Sequence, residues 1–178
     1  MRHWLIIYHS AEGQTARIAS HIARHIDQGF RDVRVRNINY LKPQDLAELA
    51  GIIVGTSMRW GRFPEEIRAF ITEHSELLNR VPSALYTVSL SAASPEPRRR
   101  EVVHEKARRL AIGSGWHPRQ WATFAGAINP AEFGPVKRLA VRAVMKTLLG
   151  SSEPTAVGEL TDWTAVHDFV DRVVPALA

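Results

Sequence analysis

His9-Ser10-Ala11-Glu12-Gly13-Gln14-Thr15 separates an apolar run at 4–8 from a stretch in which Ala16, Ile18, Ala19, Ile22, Ala23 and Ile26 recur with helical period. A strand that turns through small and hydroxylated residues into a helix presents unpaired backbone N–H groups at the helix N-terminus, where the aligned peptide dipoles favour an anion. Ser10, Gln14 and Thr15 add side-chain donors, and Gly13 permits close approach of the backbone. The stretch lacks the Gly-Lys-Ser/Thr ending of a Walker A loop, and it has one glycine where a dinucleotide fingerprint needs three. Two readings stay open at this point: a phosphate cradle, or a plain strand-to-helix turn capped by Ser10.

Outward from this junction, short β-branched and aromatic runs at 4–8, 33–38, 51–55, 84–90 and 121–127 alternate with segments of helical period. That alternation predicts an α/β protein with a largely parallel sheet. The first helix is expected to stop near Gly29, and Pro43 to start a short one carrying Leu46 and Leu49. A well-marked helix begins at Pro64, with Glu65 and Glu66 at its positive end and Ile67, Phe70, Ile71, His74, Leu77 and Leu78 on one face. Another runs from about Arg98 to Leu110, and a last one follows Asp162 with Val166, Phe169, Val170 and Val173 inward. Five strands, helices on both faces and a single phosphate-type loop favour the doubly wound order 2-1-3-4-5, in one domain spanning 1–178.

In such sheets ligands lie beyond the carboxyl ends of the strands where the winding reverses, here between the first and third strands. The loops that matter are then 9–15, 55–63 and 89–97. The second carries Gly55, Thr56, Ser57, Met58, Arg59, Trp60, Gly61, Arg62 and Phe63, in which Trp60 offers a flat face for a planar ring or, with Phe63, staples the loop to the core. The third carries Ser89, Leu90, Ser91 and Ala92. Together the three describe a phosphate socket beside a slot for a flat ring system. A phosphate-accepting receiver domain of the same topology is disfavoured, because the acidic places at the ends of strands one and three are held by His9-Ser10 and Gly55-Thr56.

Composition narrows the chemistry. With no cysteine among 178 residues, thiolate metal sites, iron–sulfur clusters, disulfides and a cysteine nucleophile are excluded. No metal site is expected either: His21 and His25 stand at i, i+4 on the first helix without a third ligand in view. The N-terminus is interrupted too soon for a signal peptide and no run approaches about 18 apolar residues, so a cytoplasmic protein is expected. The net charge of +5 is uneven: between Arg98 and Lys146 eleven Lys or Arg face three Glu, a local +8 that leaves −3 elsewhere. Arg98-Arg99-Arg100 and Arg108-Arg109 lack an accompanying reading motif or aromatic ladder, so no nucleic-acid partner is expected.

Ser10, Gly13 and Thr15 align with the flavodoxin phosphate pattern Ser/Thr-x-Thr-Gly-x-Thr, with Glu12 departing from the usual hydroxyl. The similarity lengthens through Ile53-Val54-Gly55-Thr56-Ser57-Met58-Arg59-Trp60-Gly61, residues 70–78 and 81–90, and Thr161-Asp162-Trp163. Over nearly its whole length the chain resembles the flavodoxin-type, quinone-dependent protoporphyrinogen oxidases. The resemblance implies a flavodoxin-like fold, FMN held by the loops at 10–15, 56–61 and 89–92, and oxidation of protoporphyrinogen IX to protoporphyrin IX in haem biosynthesis. A membrane quinone, menaquinone or ubiquinone, would accept the electrons. FMN would carry the redox chemistry, so no catalytic side chain is required. An NAD(P)H:quinone reductase and a non-enzymatic electron-transfer flavodoxin are the alternatives, the latter set against the basic charge of this chain.

Between the fifth strand and the final helix lies an insertion of about 128–161, too long for an ordinary connection. Gly134-Pro135 predicts a helix running to Leu149 on which Arg138, Arg142 and Lys146 form a basic stripe and most of the remaining circumference is apolar. Such a helix suits a membrane interface, with its cations among anionic headgroups, or a core position with a solvated basic edge. The expected location is peripheral, on the inner face of the cell membrane. Arg59 and Arg62, nearer the ring slot, are the candidates for the substrate's propionates.

Overall fold

Five parallel strands form one sheet in the order β2-β1-β3-β4-β5: β1 (His3–His9), β2 (Val33–Asn37), β3 (Leu49–Ser57), β4 (Ser83–Ser89) and β5 (Gln120–Ala125). The computed structural model describes residues 2–28, 32–127 and 159–174. Parallel strands require crossovers, and these are supplied by α1 (Gln14–Asp27), α2 (Glu65–Glu73), α3 (Ser75–Arg80) and α4 (Pro97–Ile112). The chain ends its described course in α5 (Trp163–Val173), capped by the Asp162 carboxylate, which accepts from the Ala165 N–H.

Because side chains alternate along a strand, the central strands feed two cores, one on each face. Trp4, Ile6, Ile53 and Tyr86 meet Ile18, Ile22 and Ile26 of α1 and Val166, Phe169, Val170 and Val173 of α5. Leu5, Ile7, Ile52, Val54 and Leu85 meet Ile67, Phe70 and Ile71 of α2, Leu78 of α3, Leu110 of α4, and Trp116. Each fully buried large apolar side chain contributes about 1.5–3 kcal/mol, so the inward faces predicted for α1 and α5 account for much of what holds these helices to the sheet.

Three local expectations are corrected. The segment after Pro43 is a single 3-10 turn, Pro43–Leu46, and Leu49 belongs to β3, where it pairs with His3 and is buried. Glu48 turns the chain with φ 50, and burial of Leu49 in the sheet outweighs its fit to a helical stripe. The helix beginning after Pro64 is interrupted at His74, whose φ of −108 and ψ of 17 separate α2 from α3. β5 ends at Ala125, two residues earlier than expected, and Ala127 pairs instead with Glu159 in an isolated antiparallel bridge. The stop at Gly29 and the proposed helix at 134–149 with Arg138, Arg142 and Lys146 lie outside the described residues.

Candidate functional site

β1 leads to β2 on one side and the next strand, β3, lies on the other, so the winding reverses between β1 and β3. Their register sets His9 beside Thr56, while β4 follows with Val88 beside Ser57 and β5 with Ala125 beside Ser89. The carboxyl ends therefore stand abreast, and the loops at 10–13, 58–63 and 90–96 leave from one edge of the sheet.

Gly13, not Ser10, occupies the N-cap of α1, with φ 86, and no side chain caps the helix. Glycine adopts this left-handed conformation without the steric penalty that a Cβ brings. The alternative of a Ser10-capped turn is thereby set aside, and the first amides of α1 are left for another acceptor. Beneath them the Tyr86 hydroxyl donates to the Thr15 carbonyl at 3.0 Å. Tyr86 reaches α1 across β3 because position 55 is glycine: a Cβ there would lie 2.1 Å from the Tyr86 ring and 2.2 Å from its oxygen. Gly55 thus serves close packing within the strand, a role its place at a loop entrance did not suggest. Burial holds the Tyr86 phenol well above its usual range, so it stays protonated and remains a donor.

At the carboxyl ends of β1 and β3 and along the last residues of β4 lie buried polar atoms with no partner: His9 Nδ1, Ser10 Oγ, Ser57 Oγ, Thr87 Oγ1 and Ser89 Oγ. Leaving such a group unpaired costs about 1–3 kcal/mol; Ser10 stands in the loop before α1 and Ser57 on the α1 side of the sheet, whereas His9, Thr87 and Ser89 alternate to the other side, so the strand ends carry unmet hydrogen-bonding capacity on both faces. Thr56 differs, its hydroxyl donating to the Ser57 carbonyl at 3.3 Å. Gln14 also turns elsewhere: its amide donates to Thr161 Oγ1 at 2.8 Å and to Glu159 Oε1. Only its backbone is left at the cradle.

The loop after β3 is a tight hairpin. Arg59 and Arg62 exchange backbone hydrogen bonds of 3.0 and 2.9 Å, with Trp60 at φ 50 and Gly61 at φ 73 between them. Two positive φ values in succession are the type I′ pattern, which disfavours a bulky first residue. Trp60 is nonetheless 84% exposed, so it does not staple the loop, whereas Phe63 packs on the second core. A strained, exposed indole beside the strand ends offers a free face for stacking. Lys106 of α4 braces the turn through the Gly61 carbonyl at 3.1 Å, and Arg59 spans to Glu12 of the first loop at 3.4 Å. This pair places a cation beside the acid that stands next to the cradle.

On the far side, Leu90, Ser91 and Ala92 form a 3-10 turn, Leu90–Ala93, directly after Ser89. Met58 is tied to this side by its N–H on the Val88 carbonyl at 2.8 Å, and Arg62 is exposed. A groove of about 480 Å³ lined by Arg17, Ser20, His21, Arg24 and Trp163 runs instead along the flank of α1 toward α5. Among the described residues no cluster of three or more metal-ligating side chains is placed to hold an ion.

A family model described as Flavodoxin domain matches residues 5–155. A curated protoporphyrinogen IX dehydrogenase [quinone] of Escherichia coli K12 is 28% identical over 169 residues, covering 95% of this chain and 93% of that protein. Its namesake in Leishmania major is 27% identical over 166 residues, covering 93% of this chain and 71% of that one. Among solved structures, a flavodoxin of Streptococcus pneumoniae TIGR4 superposes with a TM-score of 0.53 at 14% identity, covering 98% of this chain and 96% of the other.

Proposed function

We propose a function from one premise: the chain belongs to the flavodoxin-domain family and is distantly related to quinone-dependent protoporphyrinogen IX dehydrogenases. It is a flavin-dependent oxidoreductase of porphyrin metabolism that binds FMN and oxidises protoporphyrinogen IX to protoporphyrin IX, with a membrane quinone as final acceptor. The observation that carries the cofactor reading is an uncapped, glycine-led helix N-terminus at the sheet edge, where the hydroxyls of Ser10 and Ser57 lack a partner. A phosphate on the amides of 13–15, with Ser10 Oγ as a further donor, and a heterocycle edge against the loops at 56–61 and 89–92 answer the unmet hydrogen-bonding capacity there.

Bound FMN supplies two-electron hydrogen-accepting chemistry, which the six-electron conversion of porphyrinogen to porphyrin requires three times, the quinone leaving as quinol. The chain's residues orient and shield. Tyr86 fixes the first turn of α1 from below, Trp60 presents a face for ring stacking, and the Glu12–Arg59 pair offsets an acid near the phosphate dianion. Arg62 and the exposed part of Arg59 are the side chains we assign to the propionates. The expected setting is the cytoplasmic membrane surface; among the described residues no helix is long and apolar enough to cross a bilayer.

The test is reconstitution. Protein incubated with FMN should gain a flavin spectrum, and adding protoporphyrinogen IX and menaquinone or ubiquinone should produce porphyrin fluorescence at a rate proportional to flavin occupancy. Folded protein that takes up no FMN refutes the cofactor reading. Flavin uptake with NADH-driven quinone reduction and no porphyrin formation refutes the substrate.

A further inference from the structure

The Thr161-Asp162-Trp163 segment, distinctive in the sequence, lies 147 residues from Gln14 yet is joined to it directly. Gln14 opens α1 and is 7% exposed. Its amide nitrogen donates to both Thr161 Oγ1, at 2.8 Å, and Glu159 Oε1, which uses its two hydrogens; its carbonyl oxygen accepts from Arg17 Nη1 at 3.2 Å. Arg17 closes the ring by an ion pair of 2.7 Å with Glu159 Oε2, its guanidinium carbon 5.7 Å from the centre of the Trp163 ring.

The returning strand of chain is itself anchored to the sheet. Thr161 Oγ1 donates to the Ala125 carbonyl at 2.8 Å, the Leu160 N–H donates to Gly126 at 3.2 Å, and Glu159 bridges to Ala127. So the end of β5 holds 159–161, and 159–161 hold the side chain of Gln14. The residue whose backbone amide sits in the cradle has every polar group of its side chain committed to fixing where that amide stands. With Tyr86 gripping Thr15 from beneath, the first turn of α1 is held from two directions, although no side chain caps it.

We infer that Gln14, Arg17, Glu159 and Thr161 form a positioning clasp that sets affinity for the phosphate end of the flavin nucleotide. This rests on the FMN reading and deepens it. The clasp acts on the first turn of α1, where the phosphate would sit, so its loss should act through the phosphate more than through the ring. Preorganised donors bind an anion better than donors that must be ordered on binding, and loosening Gln14 lets the amides of 13–15 diverge.

The experiment titrates apoprotein with FMN and, separately, with riboflavin, which lacks the phosphate. The variants are Gln14→Leu, Glu159→Gln and Thr161→Val, with Thr161→Ser as the conservative replacement. We expect the FMN dissociation constant to rise about tenfold in the first three, riboflavin affinity to move less than twofold, and Thr161→Ser to restore the wild-type value. Inorganic phosphate alone, followed by the amide chemical shifts of Gly13, Gln14 and Thr15, supplies a flavin-free measurement in which Gln14→Leu should weaken saturation by a similar factor. FMN and phosphate affinities unmoved by the variants, or FMN and riboflavin weakened in equal proportion, overturn the clasp while leaving the cofactor reading intact. Wild-type protein that takes up neither flavin overturns both.

Discussion

Single residues at the strand ends show what a sequence discloses and what it hides. The glycine-led turn into α1 was legible because its requirements are local: small residues, a hydroxyl, and a glycine ahead of an apolar helical period. Gly13 answers that reading with φ 86 at the N-cap. Gly55 did not, since its reason is a phenol arriving from β4, thirty-one residues on, and no local pattern announces that contact. Tyr86→Phe should lower stability by about 1 kcal/mol, the net worth of a buried hydrogen bond whose acceptor stays behind, measured by urea unfolding. Gly55→Ala should cost more, about 1–3 kcal/mol, because its new methyl overlaps the Tyr86 ring and forces it from its site. A Gly55→Ala protein as stable as wild type contradicts the packing account. Trp60 carries the opposite trade. Replacing it with Gly removes a left-handed non-glycine residue and should stabilise the fold by about 1 kcal/mol, while weakening FMN binding through loss of the stacking face; a variant that gains stability and keeps full FMN affinity removes Trp60 from the site.

Among the elements, the long ones with one apolar stripe were read correctly as helices, and the errors fall where stripes are short or tertiary packing competes. Leu46 and Leu49 mimic a helical pair but belong to a turn and a strand, and the stripe from Ile67 to Leu78 continues across a break at His74 because α2 and α3 both face the same core. The histidines of α1 have partners that only the fold supplies. His21 Nε2 lies 2.6 Å from His167 Nε2 of α5, and His25 Nε2 lies 2.8 Å from Asp171 Oδ1. Both contacts span 146 positions, so α1 and α5 run parallel and in register here. A hydrogen bond between two imidazoles needs one of them neutral. Burial, then His167, Arg24 and His25, hold the His21 pKa below its usual value. A histidine with a lowered folded pKa binds fewer protons than in the unfolded chain, so its contribution is complete above the unfolded value of about 6.5 and is lost as pH falls toward the folded one. Unfolding measured from pH 8 to pH 5 should show stability declining below about 6.5, and His21→Gln should flatten that decline. An equal slope in the variant excludes His21 as the source.

At the level of the whole molecule, charge is divided between cations that the fold employs and cations that the sequence alone makes visible. On α4 the employment is local: Arg108 and Arg109 share Glu105, whose carboxyl they hold down to about 2, Arg99 pairs with Glu96, and Lys106 braces the hairpin tip at Gly61. Arg99, Arg108 and Arg109 are thus paired along the helix's own exposed face. The remaining basic stripe, Arg138, Arg142 and Lys146, is legible as a pattern of period four and lies outside the described residues, so its proposed role rests on sequence and chemistry. A quinone resides in the bilayer, and an enzyme that reduces it gains from time spent at an anionic surface. Each Lys or Arg near such a surface contributes about 1 kcal/mol, so three together favour anionic over neutral vesicles by up to about a hundredfold at low salt. Co-sedimentation with phosphatidylglycerol-containing and pure phosphatidylcholine vesicles should show that preference, and it should fall as ionic strength shortens the screening length. Substituting all three with Gln should remove most of the preference while leaving FMN affinity unchanged, because the clasp and cradle residues are untouched. Equal binding to both vesicle types, or a preference that survives the triple substitution, assigns membrane contact to another part of the chain.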